Sequence, residues 1–241
     1  MQWQDKGIVL SSKKHGERAL ILKFLTNHNG VYSGVVRYGT SKKIRYMFEP
    51  GNLLSLTWRA RLPEHMGSFQ CDALELYTSK IINKPLHLSA LCSHTSLLDL
   101  LLPERESCSN IFTSSIDLIE QLSSKSKLWM YDYIRWEIYF LSELGFGLDL
   151  KKCAVTGKKE SLTYVSPKTG RAISREAAGK WANRLLPLPP FIINDYYDAE
   201  LFGKNLQEGI KLSSYFLNKY SESIGLKLPY ARNAFVKKIS K

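Results

Sequence analysis

The sequence has little of what identifies a membrane protein or a disulfide-stabilised secreted domain. No segment approaches the roughly 18 consecutive apolar residues that a membrane span requires, and residues 1–14 lack the apolar core of a secretion signal. The four cysteines have no regular spacing, so we expect no disulfide framework. These absences predict a soluble, cytoplasmic protein with no membrane partner.

Catalytic motifs are missing too. The chain has no phosphate loop, no GxGxxG, no GxSxG and no HExxH. Its five histidines are scattered, and none has a second ligand at helical spacing. We therefore predict that the protein is not an enzyme, with a nuclease or another DNA enzyme of unrecognised site as the rival interpretation.

What the sequence does have is positive charge, at a net +12, and the charge is segregated. Lys and Arg outnumber Asp and Glu by 12 to 6 in residues 1–80 and by 9 to 2 in residues 151–184. The ratio is 5 to 9 in residues 81–150 and 8 to 5 in residues 185–241. Clustered cations favour a polyanionic partner, because phosphate neutralisation needs them together. The alternative is chance clustering on solvated faces.

The first 80 residues have the pattern of a small β-domain. About five short Val-, Tyr- and Leu-rich segments between residues 7 and 78 are separated by turn signals, with no helical period. This pattern predicts a closed Greek-key barrel of the OB type. An SH3-like barrel is the structural alternative.

After Pro85 the apolar residues recur three and four positions apart, which predicts helices. The third helix is apolar on most faces and ends at Gly145 and Gly147, so we expect it at the centre of a bundle. A short helix with Ser174 as N-cap and a last amphipathic helix follow. The predicted fold is an α+β multidomain chain, in which a zinc-ribbon-like insertion without metal ligands interrupts an all-helical bundle. The predicted segments are the barrel (1–80), the first helical part (81–150), the insertion (151–175) and the C-terminal helical part (176–241).

Residues 153–177 of the insertion have the spacing of turns and strands that is typical of a zinc ribbon, but they contain a single cysteine. A ribbon needs two short Cys pairs about 15–20 residues apart, so that four thiolates converge on one ion. Here Cys153 and Thr156 occupy the first pair of positions, and Ser174 and Ala177 occupy the second. We predict a β-hairpin-like insertion without zinc, and no cofactor for the protein.

The barrel segment carries the best candidates for a nucleic-acid site. Arg59 and Arg61 lie two apart, which predicts that they share one face of one strand, with Trp58 on the opposite, core face. OB barrels bind single strands by stacking bases on aromatics while cations follow the backbone, and Tyr32, Tyr38 and Tyr46 are interleaved here. The competing interpretation is a solvated loop and a barrel filled by its aromatics. The candidate cations are Lys13, Lys14, Arg18, Arg37, Lys42, Lys43, Arg45, Arg59 and Arg61.

The whole chain resembles the RecO family of recombination mediators. The segment VVRYGTSKK (35–43) is similar to the family's basic motif after its third strand. LGFGLDLKKCAVTG (144–157) resembles the family's approach to the first zinc knuckle, and YVSPKTGRAIS (164–174) resembles the stretch before the second. The segments RLLPLP and LPYARNAF are also similar to family segments.

The resemblance implies a bacterial, nucleoid-associated protein that binds single- and double-stranded DNA. It implies that the protein anneals strands, acts on DNA coated by single-stranded DNA-binding protein (SSB), and with RecR promotes RecA loading. The family's DNA-contact role carries onto Arg37, Lys42 and Lys43, whereas the other cations are assigned from charge alone. The family's zinc role does not carry over, because three of the four ligand positions differ.

The resemblance also implies a docking site for the acidic, hydrophobic C-terminal tail of SSB. Such a site needs an apolar groove and a cation for the terminal carboxylate. Arg135, in YIRWEIYF, matches a family segment and is the predicted cation, while an ion pair with Asp132 or Glu137 is the structural alternative. For the protein as a whole, an RNA-binding or ribosome-associated OB-fold protein is the rival function.

Overall fold

Five strands of the N-terminal segment close into a barrel with the order β1-β2-β3-β5-β4 in the computed structural model, which describes residues 1–125, 128–194 and 197–240. Neighbouring strands are antiparallel except β3 and β5, which meet in parallel at one pair, Val35 and Ser68. This is a closed five-stranded barrel of the OB type, as predicted. The strands are β1 (Gln2–His15), β2 (Ala19–Thr26), β3 (Gly30–Val36), β4 (Leu53–Arg59) and β5 (Ser68–Glu75).

Alternation along each strand fills the barrel. In β4, Leu54, Leu56 and Trp58 are buried, because successive side chains point to opposite faces of a strand. The Trp58 ring stacks on Trp3 at 5.5 Å between centroids, and its Nε1 donates a hydrogen bond to the Met66 carbonyl at 3.0 Å. The prediction that Trp58 belongs to the core is confirmed.

Four helices belong to the same compact unit as the barrel, here called the barrel unit (residues 1–126 and 229–238). Lys23 of β2 reaches Asp99 at 3.0 Å, so the helices are joined to the barrel by a partly buried ion pair. At the chain's far end, Lys238 Nζ lies 3.2 Å from Ser89 Oγ. The helices are α1 (Tyr77–Ile81), α2 (Pro85–Leu101), α3 (Ser109–Ser123) and α7 (Tyr230–Ile239).

The second compact unit, here called the helical unit, spans residues 127–228 and 239–241. Its core is α4 packed on α6, where buried Glu137 accepts a hydrogen bond from Ser213 Oγ at 2.6 Å. Between these two helices in the sequence, the chain forms a small antiparallel sheet of order β7-β6-β8. The elements are α4 (Trp129–Glu143), β6 (Leu162–Val165), β7 (Ala172–Ser174), α5 (Arg175–Ala178), β8 (Leu186–Pro187) and α6 (Phe202–Ser223).

The α+β fold class is confirmed, and the helices are divided between the two units. Helices α1 to α3 and α7 belong with the barrel, whereas α4, α5 and α6 belong with the small sheet. The predicted insertion forms a hairpin of β6 and β7, to which β8 adds a third strand. The boundaries of the four segments were predicted from the sequence pattern alone, and they stay a prediction.

None of the helices in the described part of the chain is both long enough and apolar enough to cross a membrane.

Substitution of Gly30 by Ala should destabilise the barrel unit strongly. Gly30 has φ +75°, which strains the backbone of any residue with a side chain, and a Cβ there would overlap the Glu106 carbonyl. Both effects destabilise the folded state of the variant. Gly16 is the matched control, because its φ is +62° but a Cβ at that position would meet nothing within 4 Å. We expect Gly16→Ala to cost about 1–2 kcal/mol for the left-handed backbone and Gly30→Ala about 1–3 kcal/mol more. Urea unfolding followed by circular dichroism measures both, and equal losses would contradict the steric argument.

Candidate nucleic-acid interface

The turn between β1 and β2 and the loop after β3 lie side by side at one end of the barrel. Strand register places Lys14 opposite Leu20, and Leu20 opposite Val36, which is the last residue of β3. The following loop is held to the turn by Thr40, whose backbone N donates to the Arg18 carbonyl at 3.5 Å and whose Oγ1 donates to the Glu17 carbonyl at 3.2 Å. Seven of the nine predicted cations are therefore carried by two adjoining segments.

All seven of these cations are exposed, and within the described ranges none of them forms an ion pair. Lys14 and Arg45 line one cavity of about 480 Å³, together with Glu17 and Glu49. Unpaired surface cations are suited to phosphate, because binding does not require them to release a carboxylate first. We call this set the turn-loop cluster; its members are Lys13, Lys14, Arg18, Arg37, Lys42, Lys43 and Arg45.

Arg59 and Arg61 do not share a strand face, so that prediction is wrong. Strand β4 ends at Arg59. Ala60 exchanges backbone hydrogen bonds with Met1, and the chain then bends into the β4–β5 loop that carries Arg61. Arg105 holds this loop by donating to three consecutive carbonyls, those of residues 63–65, at 2.7–3.2 Å. The sequence shows no sign of this contact, because Arg105 lies some 40 residues away in an irregular segment.

Both arginines are exposed but lie apart from most of the turn-loop cluster. The register runs from Arg59 to Ser68, then to Val35, Ile21 and Lys13. Three strands therefore separate Arg59 from Lys13 on this side, a path of ~19 Å at the usual spacing between strands. Arg59 and Lys13 therefore do not face each other across a strand pair.

The structure separates the aromatic residues that fill the barrel from those at its surface. Tyr32 packs edge-on against Trp3 at 5.0 Å and so belongs with the interior. Tyr38 and Tyr46 are 63% and 55% exposed, and both lie in the segment that carries Arg37 to Arg45. Tyr38 also has φ +59°, a costly conformation for a bulky residue that is found preferentially at functional sites. These two tyrosines are the candidate stacking platforms.

A second cavity, of about 570 Å³, lies where β3 and β5 are joined by their single pair. Arg37 lines it, together with Phe69, Gln70 and Asp72. The cavity therefore extends from the turn-loop cluster, at Arg37, along the barrel toward the start of β5.

Arg135 lies in the helical unit, where the structure satisfies its guanidinium internally. Its Nε donates to the Phe191 carbonyl at 2.8 Å, and one NH2 group donates to the Asn194 carbonyl at 3.1 Å. The other lies 3.4 Å from Asp132, which is the ion pair named as the structural alternative. Glu137 is not the partner in that pair, because it is buried against Ser213. The role of Arg135 in binding an SSB tail stays a prediction.

Hydrogen bonds close a tight turn in the zinc-ribbon-like segment, residues 153–177. The Cys153 carbonyl accepts from Gly157 N at 2.9 Å, and Cys153 N donates to the Lys158 carbonyl at 2.8 Å. The Cys153 sulfur accepts from Ser174 N at 3.3 Å, and Ser174 Oγ caps α5 by accepting from Ala177 N at 3.4 Å. Ser174, at a position where a zinc ribbon would have a ligand, thus forms part of a hydrogen-bonded turn.

These contacts change the acidity of the Cys153 thiol. Burial raises its pKa, but hydrogen bonds from Thr156 and Ser174 outweigh burial and lower the pKa to about 6. No group of three or more metal-ligating side chains occurs in the residues that the structure describes. The predicted lack of zinc stays a prediction.

Comparison with known proteins covers almost the whole chain. A family model described as "Recombination protein O N terminal" matches residues 1–77, and one described as "Recombination protein O C terminal" matches residues 83–228. A "DNA repair protein RecO" of Roseobacter denitrificans is 41% identical over 245 residues, which cover 100% of this chain and 99% of that protein. Proteins of the same name from Cereibacter sphaeroides (strain ATCC 17029) and Rhodospirillum rubrum are 42% and 36% identical, covering 96% and 99% of this chain and 95% and 96% of theirs.

The Cys153 thiol should ionise near pH 6 in the folded protein. We expect the ultraviolet thiolate absorbance of the wild type minus that of Cys153→Ala to rise through about pH 6. An unfolded thiol ionises near its usual pKa of about 8.5, so this group contributes stability that is present above that pH and is lost as pH falls through about 6.

Cys71 is the matched control, because burial and then Asp72 raise its pKa to about 12. The difference between the wild type and Cys71→Ala should stay flat below pH 9. A Cys153 transition above pH 8 would show that its hydrogen bonds do not hold the thiolate.

Proposed function

Because the chain belongs to the RecO family of DNA repair proteins, we propose that it is a recombination mediator that catalyses no covalent reaction. In this proposal it binds single- and double-stranded DNA and anneals complementary strands. It acts on SSB-coated strands and, with RecR, promotes RecA loading. The observation that supports the proposal is the turn-loop cluster, seven exposed cations with no ion pair among the described residues, beside two exposed tyrosines.

The cluster suits annealing for a physical reason. Two DNA strands repel each other through their phosphates, and cations that neutralise both lower that repulsion while releasing counterions. Tyr38 and Tyr46 offer faces on which unpaired bases stack, at about 1–3 kcal/mol per base. Neither contact reads base identity, so the site would accept any pair of complementary strands.

The remaining parts of the proposal concern partners and place. We propose that Arg135 and its apolar surroundings receive the SSB tail, that zinc is not required, and that the protein acts in the bacterial cytoplasm at the nucleoid. The rival function, RNA binding or ribosome association, would use the same cations. It would differ in a preference for the ribose 2′-hydroxyl.

Neutralising the loop should impair annealing while the fold survives. Lys42→Gln, Lys43→Gln and Arg45→Gln together remove three exposed cations, so the dependence of log K on log salt for single-stranded DNA should become shallower by about 2. Annealing of SSB-coated complementary strands, followed by fluorescence, should fall at least tenfold.

The control removes the same charge elsewhere, through Lys204→Gln, Lys211→Gln and Lys227→Gln, at exposed positions of the helical unit. Equal losses in the two triple variants would mean that net charge, and not this loop, drives binding. Matched deoxy- and ribo-oligonucleotides at several salt concentrations test the rival function, and a strong preference for RNA would favour it. Cleavage of labelled DNA with Mg²⁺ that tracks the purified protein would overturn the non-enzymatic assignment.

Arg135→Ala should weaken binding of an SSB tail peptide and leave binding of naked DNA unchanged. Fluorescence anisotropy with a labelled peptide measures the first, and anisotropy with labelled DNA measures the second. Arg135→Lys is the companion variant, since it keeps the charge but lacks the planar guanidinium group that donates to the Phe191 and Asn194 carbonyls. If Arg135→Ala remains folded and peptide affinity does not change, another cation receives the tail carboxylate.

A further inference from the structure

One tryptophan of the helical unit lies at the surface. Trp181 is 51% exposed, whereas Trp58, Trp129 and Trp136 are at most 4% exposed and Trp3 packs on Trp58. Trp181 belongs to a short 3-10 helix, Gly179–Arg184, that contains no buried residue. An indole left in water gives up the burial that usually makes Trp stabilising, so this ring has no evident role in the core.

Two cations accompany the ring. The Arg184 guanidinium carbon lies 4.8 Å from the ring centroid, and Lys180 Nζ lies 5.5 Å from it. Both side chains are exposed, and in the described ranges neither is paired with a carboxylate. A cation held at an aromatic face stays solvated on its other side and can still contact a phosphate.

The surrounding segment has the matching charge. Residues 151–184 carry 9 Lys and Arg against 2 Asp and Glu. One of the two acids, Glu176, already lies 4.0 Å from Lys158. An anionic partner is favoured here, and a partner with flat aromatic groups is favoured by the exposed indole.

We propose that Trp181, Lys180 and Arg184 form a stacking platform for single-stranded nucleic acid, distinct from the turn-loop cluster. A base stacks on the indole or the guanidinium plane, while Lys180 and Arg184 contact the adjacent phosphates. The base must be unpaired to offer its face, so duplex DNA does not use the platform. The inference rests on the proposed function and adds a second strand-binding site, which would let one chain hold two strands during annealing.

Tryptophan fluorescence tests the platform directly, because Trp181 is the tryptophan most accessible to a stacked base. Titration with oligo-dT should quench the wild type, and Trp181→Phe should remove that quenching while keeping affinity within about twofold. Trp181→Ala should lower affinity for oligo-dT by about tenfold, in keeping with one lost base stack. Its affinity for blunt duplex DNA should not change.

An abasic oligonucleotide with the same number of phosphates is the control probe. It should bind the wild type and Trp181→Ala equally and quench neither. Equal quenching by an acidic peptide or by the abasic strand would overturn the platform and indicate an anion or protein surface. Binding of oligo-dT by anisotropy without quenching would also overturn it and leave the barrel site intact, whereas no binding at all would defeat the proposed function itself.

Discussion

The barrel is closed by the long strand β1, which pairs with β4 along its first half and with β2 along its second. Gln2 to Ile8 lie opposite Arg59 to Leu53, and Gly7 to His15 lie opposite Thr26 to Ala19. The β1–β2 register is irregular between Val9 and Ser11, directly after the residues that pair with both neighbouring strands. The turn-loop cluster depends on the pairing of β2 with both β1 and β3, since it sets the β1–β2 turn beside the end of β3.

Two kinds of contact then place the surface chemistry. Thr40 holds the cationic loop by donating hydrogen bonds to two backbone carbonyls. Arg105 holds the loop that carries Arg61 by donating hydrogen bonds to three backbone carbonyls. None of these contacts uses the side chain of a predicted DNA-binding cation. The scaffold is thus built by neutral donors and by Arg105, which leaves the cluster's charges available for phosphates.

The zinc-ribbon-like segment, residues 153–177, is closed by hydrogen bonds. A tetrahedral zinc site closes a loop by coordination, whereas here backbone donors around Cys153 and the cap at Ser174 close it by hydrogen bonding. Hydrogen bonds between neutral groups are individually worth about 1 kcal/mol.

The sequence by itself determined the strands of the OB-like barrel, the helical pattern after Pro85, the core position of Trp58 and the cap at Ser174. These follow from local periods of 2 and 3.6 residues and from turn chemistry, which depend only on near neighbours along the chain. It did not determine where β4 ends, that Arg135 is held by Phe191 and Asn194, or which aromatics reach the surface. Those outcomes depend on partners some 40 to 60 residues away, such as Arg105, Met1 and Asn194, and long-range contacts leave no periodic trace in the sequence.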